Sequence, residues 1–312
     1  MQKTDQILVT GASGLIGSAL LRALAASGYG RVLAPTHAEL DCRDAVAVAA
    51  YFAAHKPAYV FHLAARVGGI HANSHFPGQF LYDNTAMQLA VFEAARTHGV
   101  KKLLFPGSAC TYPLSNRPLK EDDFLTGKIE PTNLAYAAAK INGLVMAQAY
   151  AKEYGLGVVL PMPTNAYGIG DNFDPAAAHV IPALMRRFHE AATHGAPDVT
   201  LWGSGTPLRE FIYADDAADA FLFLMQRHDA SAIINVGTMQ EISIKDLASE
   251  IAALVGYKGT IAIDPSKPDG APRKMLDSSR LFALGWTPKV TLPEGLKRMY
   301  AHHFNVQERK TA

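Results

Sequence analysis

Seven residues near the start of the chain, GASGLIG at 11–17, constrain what it can fold into more than any other stretch. They follow a short apolar run at 7–10 and open an apolar-periodic segment at 15–27, which Gly28 ends. That order reads as strand, glycine turn, helix. Small residues at Gly11, Gly14 and Gly17 let a backbone come close to a charged group, and the amide end of the helix then faces that group. A pyrophosphate is the natural occupant, and the context is that of a dinucleotide-binding α/β sheet. An ordinary tight turn would satisfy the glycine spacing alone; the strand before it and the helix after it favour the ligand.

The rest of the first half repeats the alternation. Strands are predicted at 31–34, 59–63, 102–105 and 157–160, and helices at 44–54, 79–97 and 134–154, with Asp44 placed to cap its helix. Beyond Pro163, a Gly/Asn/Asp/Pro cluster at 165–175 reads as a long functional loop. A helix at 179–192, a returning strand at 231–235 and a strand at 260–263 follow. The pattern predicts an α/β fold: a Rossmann-type doubly wound parallel sheet with a smaller C-terminal substrate-binding lobe. Residues 1–165 form the nucleotide-binding part, with a returning segment at about 210–240. Residues 166–312 form the interleaved substrate lobe.

Bulk properties exclude several classes. Of 312 residues, 49% are hydrophobic, which supports a large core. A net charge of +1 offers no polyanion-binding surface, so no nucleic-acid partner is expected. Two cysteines, Cys42 and Cys110, are too few for a disulfide framework and suit a reducing cytoplasm. No apolar run reaches the roughly 18 residues of a membrane helix, and the N-terminus lacks a signal-peptide core. The histidines show no metal-ligand spacing, so no metal is expected.

Two further patterns carry chemistry. At the end of the second strand, where an acid would hold the ribose hydroxyls of NAD, the chain reads Leu33-Ala34-Pro35-Thr36-His37. The missing acid favours NADP(H) over NAD(H), with Ser13, Thr36 and His37 as candidates for the 2′-phosphate. Tyr136 and Lys140 stand four apart on a predicted helix and so share a face. An ammonium beside a phenol is expected to lower its pKa from the ordinary value near ~10. Ser108, directly after the fourth strand, can reach the same substrate oxygen. The three together can protonate an alkoxide as hydride arrives at a carbonyl carbon.

These motifs, with HLAA at 62–65, resemble the extended short-chain dehydrogenase/reductase superfamily. Longer stretches resemble one branch of it, the GDP-L-fucose synthase family of GDP-4-keto-6-deoxymannose epimerase-reductases. They are ARVGGI at 65–70, GSACTYP at 107–113, EPTNLAY at 130–136, MPTNAYG at 162–168, DNF at 171–173, HVIPAL at 179–184, WGSGTP at 202–207, REF at 209–211 and KPDGAPRK at 267–274. The resemblance spans nearly the whole chain.

It implies NADPH-dependent 3,5-epimerisation and 4-reduction of GDP-4-keto-6-deoxy-D-mannose to GDP-L-fucose. Cys110 and His179 would be the acid–base pair that inverts carbons beside the carbonyl, and Ser108, Tyr136 and Lys140 the reduction set. From residue chemistry alone, a cysteine such as Cys110 is more often a small buried hydrophobe, and a histidine such as His179 more often a packing or capping residue. Cofactor contacts are implied for Gly11, Ser13, Gly14, Leu15, Ile16, Gly17, His37, Asp41, Leu63, Ala64, Ala65, Lys140, Pro163, Thr164, Asn165, Ala166 and His179. Substrate contacts are implied for Arg187, Trp202, Arg209, Arg273 and Asp277. A homodimer joined through helices at 79–97 and 134–154 is also implied. The rival readings are the same chemistry, or reduction alone, on another GDP-4-keto sugar (a deoxyheptose or a colitose precursor), a UDP-sugar 4-epimerase holding NAD, and a non-catalytic dinucleotide sensor. The presence of Ser108, Tyr136 and Lys140 argues against the sensor.

Overall fold

Ile7, Leu8, Val9 and Thr10 are all buried, and they form β1 (Ile7–Thr10). A strand with no wet face belongs in the middle of a parallel sheet covered on both sides. A computed structural model describes residues 1–175, 177–267 and 269–311. Pro268, in the KPDGAPRK stretch, lies outside the described residues.

The chain continues through α1 (Leu15–Ala26), β2 (Val32–Leu33), α2 (Ala45–His55), β3 (Tyr59–His62), α3 (Ile70–His75), α4 (Pro77–Thr97), β4 (Lys102–Leu104), α5 (Leu134–Tyr154) and β5 (Gly157–Pro163). Then come β6 (Asn165–Tyr167), α6 (Val180–His194), β7 (Asp198–Trp202), β8 (Leu208–Tyr213), α7 (Ala214–Arg227) and β9 (Ile233–Val236). The remainder is β10 (Glu241–Ser243), α8 (Ile244–Val255), β11 (Thr260–Asp264), β12 (Arg273–Lys274), α9 (Ser279–Ala283) and α10 (Leu292–Thr311).

The main sheet has the order β2-β1-β3-β4-β5-β9, with every pair parallel. The chain steps outward from β1 to β2 and then returns past β1 to β3. A crevice therefore opens at the carboxyl ends of β1 and β3, where sheets of this kind bind ligands. α2, α4 and α5 cover one face through Phe52, Phe92 and Leu144, and α1 and α7 cover the other through Leu20 and Phe221. The doubly wound Rossmann-type sheet expected from the sequence is the one observed. Asp44 caps α2 as expected, accepting from the amides of Val46 (2.9 Å) and Ala47 (3.0 Å). α4 starts two residues earlier than predicted because Pro77 supplies a first helical position that needs no amide donor. The strand predicted at 231–235 joins the sheet edge as β9.

A second sheet is built around β8, with β10 antiparallel, β12 parallel to its start and β6 parallel to its end. β7 and β11 pair separately, and α6 and α8 pack over a third apolar cluster with Phe188, Leu201 and Ile251. Glu210, in the middle of β8, is completely buried. Its carboxylate accepts from the amides of Thr238 (2.7 Å), Met239 (2.7 Å) and Leu276 (2.8 Å). Its carbonyl oxygen accepts from Thr164 Oγ1 (3.2 Å) and Asn165 Nδ2 (2.9 Å) at the end of β5. One residue thus fastens the second sheet to the main one.

The glycine turn is held by sterics. Gly11 has φ +69°, and a Cβ there would lie 2.6 Å from the Ala64 amide nitrogen. A Cβ on Gly17 would lie 2.1 Å from the Gly11 carbonyl oxygen, against backbone that cannot swing aside. We expect Gly17→Ala to destabilise the protein by roughly 2 kcal/mol or more in urea unfolding; an unchanged midpoint would show that the turn yields.

Candidate active site

The turn and the end of β3 stand back to back across the crevice. Ala64 N donates to Thr10 Oγ1 (3.3 Å) and Leu63 N to Thr10 O (3.1 Å), which sets Leu63, Ala64 and Ala65 against Gly11. Gly14 occupies the N-cap of α1 with no side-chain cap, and Ser13 and Gly14 are exposed. The first amides of α1 are therefore left for an outside acceptor, with Leu15 and Ile16 beginning the helix. Beyond β2, Thr36 is held by Glu39, while His37 is exposed with Nδ1 3.9 Å from Asp41. Asp41 is already engaged: the Arg43 guanidinium pairs with it at 2.7 Å and pulls its carboxyl down to about 2. Arg43 also reaches Asp83 (3.4 Å), so the cation missing from the end of β2 stands a few residues further on, between two carboxylates.

The structure gathers Ser108, Cys110, Tyr136 and Lys140 beside the carboxyl end of β4. Ser108 opens a short 3-10 turn, Ala109–Thr111, and its Oγ accepts from Cys110 N (3.2 Å). Tyr136 and Lys140 lie in the first two turns of α5. Lys140 is buried, donates to the Pro106 carbonyl (2.9 Å) and sits 4.6 Å above the Phe105 ring. Burial alone lowers its pKa to about 7. Tyr136 departs from expectation: burial pushes it above the ordinary phenol value, neighbouring Cys110 pushes the same way, and the Ser108 hydroxyl pulls it back. Lys140 is not among the groups that shift it. Its ammonium is turned to Pro106, with Nζ 6.0 Å from the centroid of the tyrosine ring. In this state, desolvation outweighs the cation that the four-residue spacing suggested.

Cys110 is half-buried, not a core residue, and its sulfur has a partner the sequence did not reveal: Lys274 Nζ at 3.2 Å, from the end of β12. His179 takes the N-cap position of α6 but makes no side-chain cap bond, so it is not there as a cap. The residue as a whole is exposed, yet burial around its imidazole lowers its pKa. Ala178 just before it lies against Gly69 of the 65–70 stretch. Pro163, Thr164, Asn165 and Ala166 line up at the junction of β5 and β6, fixed through Glu210.

The implied substrate residues divide. Arg187 donates to the Thr200 carbonyl and Arg209 to Leu208 O (2.8 Å). Burial lowers the pKa of both. Trp202 is 72% exposed, with Lys267 Nζ 5.6 Å from its ring, which leaves a flat apolar face open for stacking. Arg273 is instead paired with Glu241, its Nε at 2.7 and 3.0 Å from the two carboxylate oxygens. Asp277 is taken up by the turn before α9, accepting from Ser279 Oγ (2.5 Å) and N (3.0 Å). Asp269, which sequence reasoning did not single out, accepts from Ser204 N (2.9 Å) and Oγ (2.8 Å) and so shapes the loop after Trp202. Among the described residues, no cluster of three or more His, Cys, Asp or Glu could hold a metal ion.

The chain belongs to the NAD dependent epimerase/dehydratase family, whose sequence profile matches residues 7–237. It is 48% identical to GDP-L-fucose synthase 1 of Arabidopsis thaliana, over 96% of this chain and 93% of that one. It is 44% identical to GDP-L-fucose synthase of Escherichia coli (strain K12), over 98% of both. Among solved structures, GDP-mannoheptose C4 reductase from Campylobacter jejuni with NADP bound superposes with a TM-score of 0.88. That protein is 34% identical, with 97% of this chain and 99% of that one covered. The resemblance read from the sequence is borne out.

The buried Lys140 carries a stability signature. Its folded pKa, about 7, lies below the ordinary lysine value of 10.5, so between these values the unfolded chain binds more protons than the folded one. Stability should therefore rise with pH from about 7 upward, at up to about 1.4 kcal/mol per pH unit, with a slope that Lys140→Met lacks. Urea unfolding of both proteins from pH 7 to 9 measures this difference; parallel curves would mean that Lys140 is charged throughout.

Proposed function

We propose that this protein is an NADPH-dependent epimerase-reductase that converts GDP-4-keto-6-deoxy-D-mannose to GDP-L-fucose. One observation carries the reading: a reduction set (Ser108, Tyr136, Lys140) and a separate proton-exchange group (Cys110 with Lys274) lie together beside the carboxyl end of β4. A plain reductase needs only the first.

The crevice suits a dinucleotide. The uncapped amides of α1 and the exposed Ser13 and Gly14 would take the pyrophosphate, and Leu63–Ala65 and 163–166 would flank the rest. No acid stands at the end of β2, which favours NADPH. Bound there, NADPH supplies the hydride. Residues 1–165 with the return at about 210–240 serve the cofactor, and 166–312 serve the sugar nucleotide, with Arg187 and Arg209 as phosphate donors and Trp202 stacking on the base.

In the epimerisation, a C–H bond beside the carbonyl breaks, its proton passes to Cys110 Sγ, and its electron pair moves onto the carbonyl oxygen. Lys274 Nζ stands 3.2 Å from that sulfur and donates to it. His179 returns a proton to the opposite face of the same carbon. In the reduction, Tyr136 gives its proton to the C4 oxygen. A phenol raised above its ordinary value starts fully protonated near neutrality, as that role requires. Lys140, held on the Pro106 carbonyl, would hold the nicotinamide ribose of the bound dinucleotide. The protein works as a homodimer in the cytoplasm; the exposed Leu81, Tyr82 and Leu89 of α4 and Val145 and Tyr154 of α5 supply an apolar face for the partner copy. Similarity to a heptose C4 reductase keeps one rival, reduction alone of a GDP-linked heptose.

Two variants separate the steps. Tyr136→Phe should slow NADPH oxidation by about 10²-fold or more yet leave solvent deuterium entering the substrate. Cys110→Ser should lose most of that exchange. If Tyr136→Phe stops both, one group performs both steps and the division of labour fails; if Cys110→Ser exchanges at the wild-type rate, the cysteine is structural.

A further inference from the structure

We propose that Asn235 is a positioning residue for Cys110: through one side-chain amide it holds the turn that carries the thiol at a fixed distance from Lys274. The proposal rests on the proton-exchange reading of Cys110 given above. Asn235 lies near the end of β9 and is fully buried. Its Nδ2 donates to Leu119 O (2.9 Å) and Asp277 O (3.0 Å). Two carbonyl acceptors fix which end of the amide is nitrogen, so Oδ1 faces Tyr112, whose buried hydroxyl donates to it at 2.7 Å. The Asn235 backbone N–H donates to Glu121 Oε1 (2.9 Å).

These bonds join the segments that carry the thiol and the ammonium. Tyr112 lies two residues beyond Cys110, in a tight turn that Ser108 caps. Asp277 lies three residues beyond Lys274, and Leu119 stitches this segment in, donating to Met275 O (2.9 Å) and accepting from Asp277 N (2.8 Å). The Cys110–Lys274 contact spans 164 positions of sequence. Asparagine is needed for the link: aspartate would turn an acceptor toward two carbonyls, and an apolar residue would leave the Tyr112 hydroxyl and the Asp277 carbonyl without these partners and Leu119 O with the Asp277 amide alone.

The test measures the thiol directly, without substrate. Iodoacetamide alkylation is followed by mass spectrometry of the full chain in wild type, Lys274→Met, Asn235→Ala and Tyr112→Phe. Cys42 is buried and serves as the internal reporter of unfolding. Asn235→Ala should slow alkylation of Cys110 about tenfold, as Lys274→Met does, with Tyr112→Phe in between and Cys42 protected throughout. In deuterium exchange, kcat should fall by a similar factor at unchanged KM, and the Kd for NADPH should stay at the wild-type value.

Alkylation of Cys110 at the wild-type rate in folded Asn235→Ala or Tyr112→Phe overturns the proposal. So does a parallel loss of NADPH affinity, which marks a general structural role. If Asn235→Ala exposes Cys42, Tyr112→Phe, which removes a single oxygen, decides. Wild type that exchanges no deuterium but shows this alkylation pattern sinks the epimerase reading and leaves the positioning of the thiol standing.

Discussion

A carboxylate with no exposure and three backbone amides on it holds this cleft in shape. Glu210 fixes the chain at Thr238, Met239 and Leu276, and its own carbonyl fixes Thr164 and Asn165. Burial raises its carboxyl pKa and the three amides pull it back, a balance that requires all of them in place. Arg209 precedes it on β8, and β12, with Lys274 at its end, pairs with β8 just before it. The end of β5 and the segment that brings a cation to Cys110 are therefore registered through a single side chain. Neither half of the cleft is set independently of the other.

Desolvation dominates the electrostatics of that cleft. Lys140, Arg187 and Arg209 have lowered pKa values and Tyr136 a raised one, with burial as the leading cause in each. Cations held partly dehydrated, on carbonyls more than on carboxylates, gain most when an anion arrives. Arg273 makes the contrast: paired with Glu241 it braces β12 and has little to offer a phosphate.

The main sheet was legible because parallel, doubly covered strands and long helices announce themselves by period, and the glycine turn because it stands between a strand and a helix. Tyr136 and Lys140 were legible because a helix converts four residues into one face. The second sheet was not: β6, β10 and β12 are two or three residues long and depend on partners far away in sequence, and the strand–helix pair β8–α7 was read only as a motif at 209–211 and part of a returning segment at about 210–240. Long-range contacts hid the partners of the site residues for the same reason. Nothing in the sequence puts Lys274 on Cys110, Asp269 on Ser204, or Asn235 between Tyr112 and Asp277. The direction of the Tyr136 shift was missed because spacing gives proximity and not burial.

On the proposed function, proton exchange and hydride transfer share one cleft. This is tested most directly by incubating the protein with GDP-4-keto-6-deoxymannose and NADPH in deuterated water, following nicotinamide absorbance and reading the product by NMR. NADPH oxidation together with deuterium at C3 and C5 of a GDP-L-fucose product is the expected result. Oxidation with no deuterium at either carbon would leave a plain ketoreductase and contradict the roles given to Cys110 and His179.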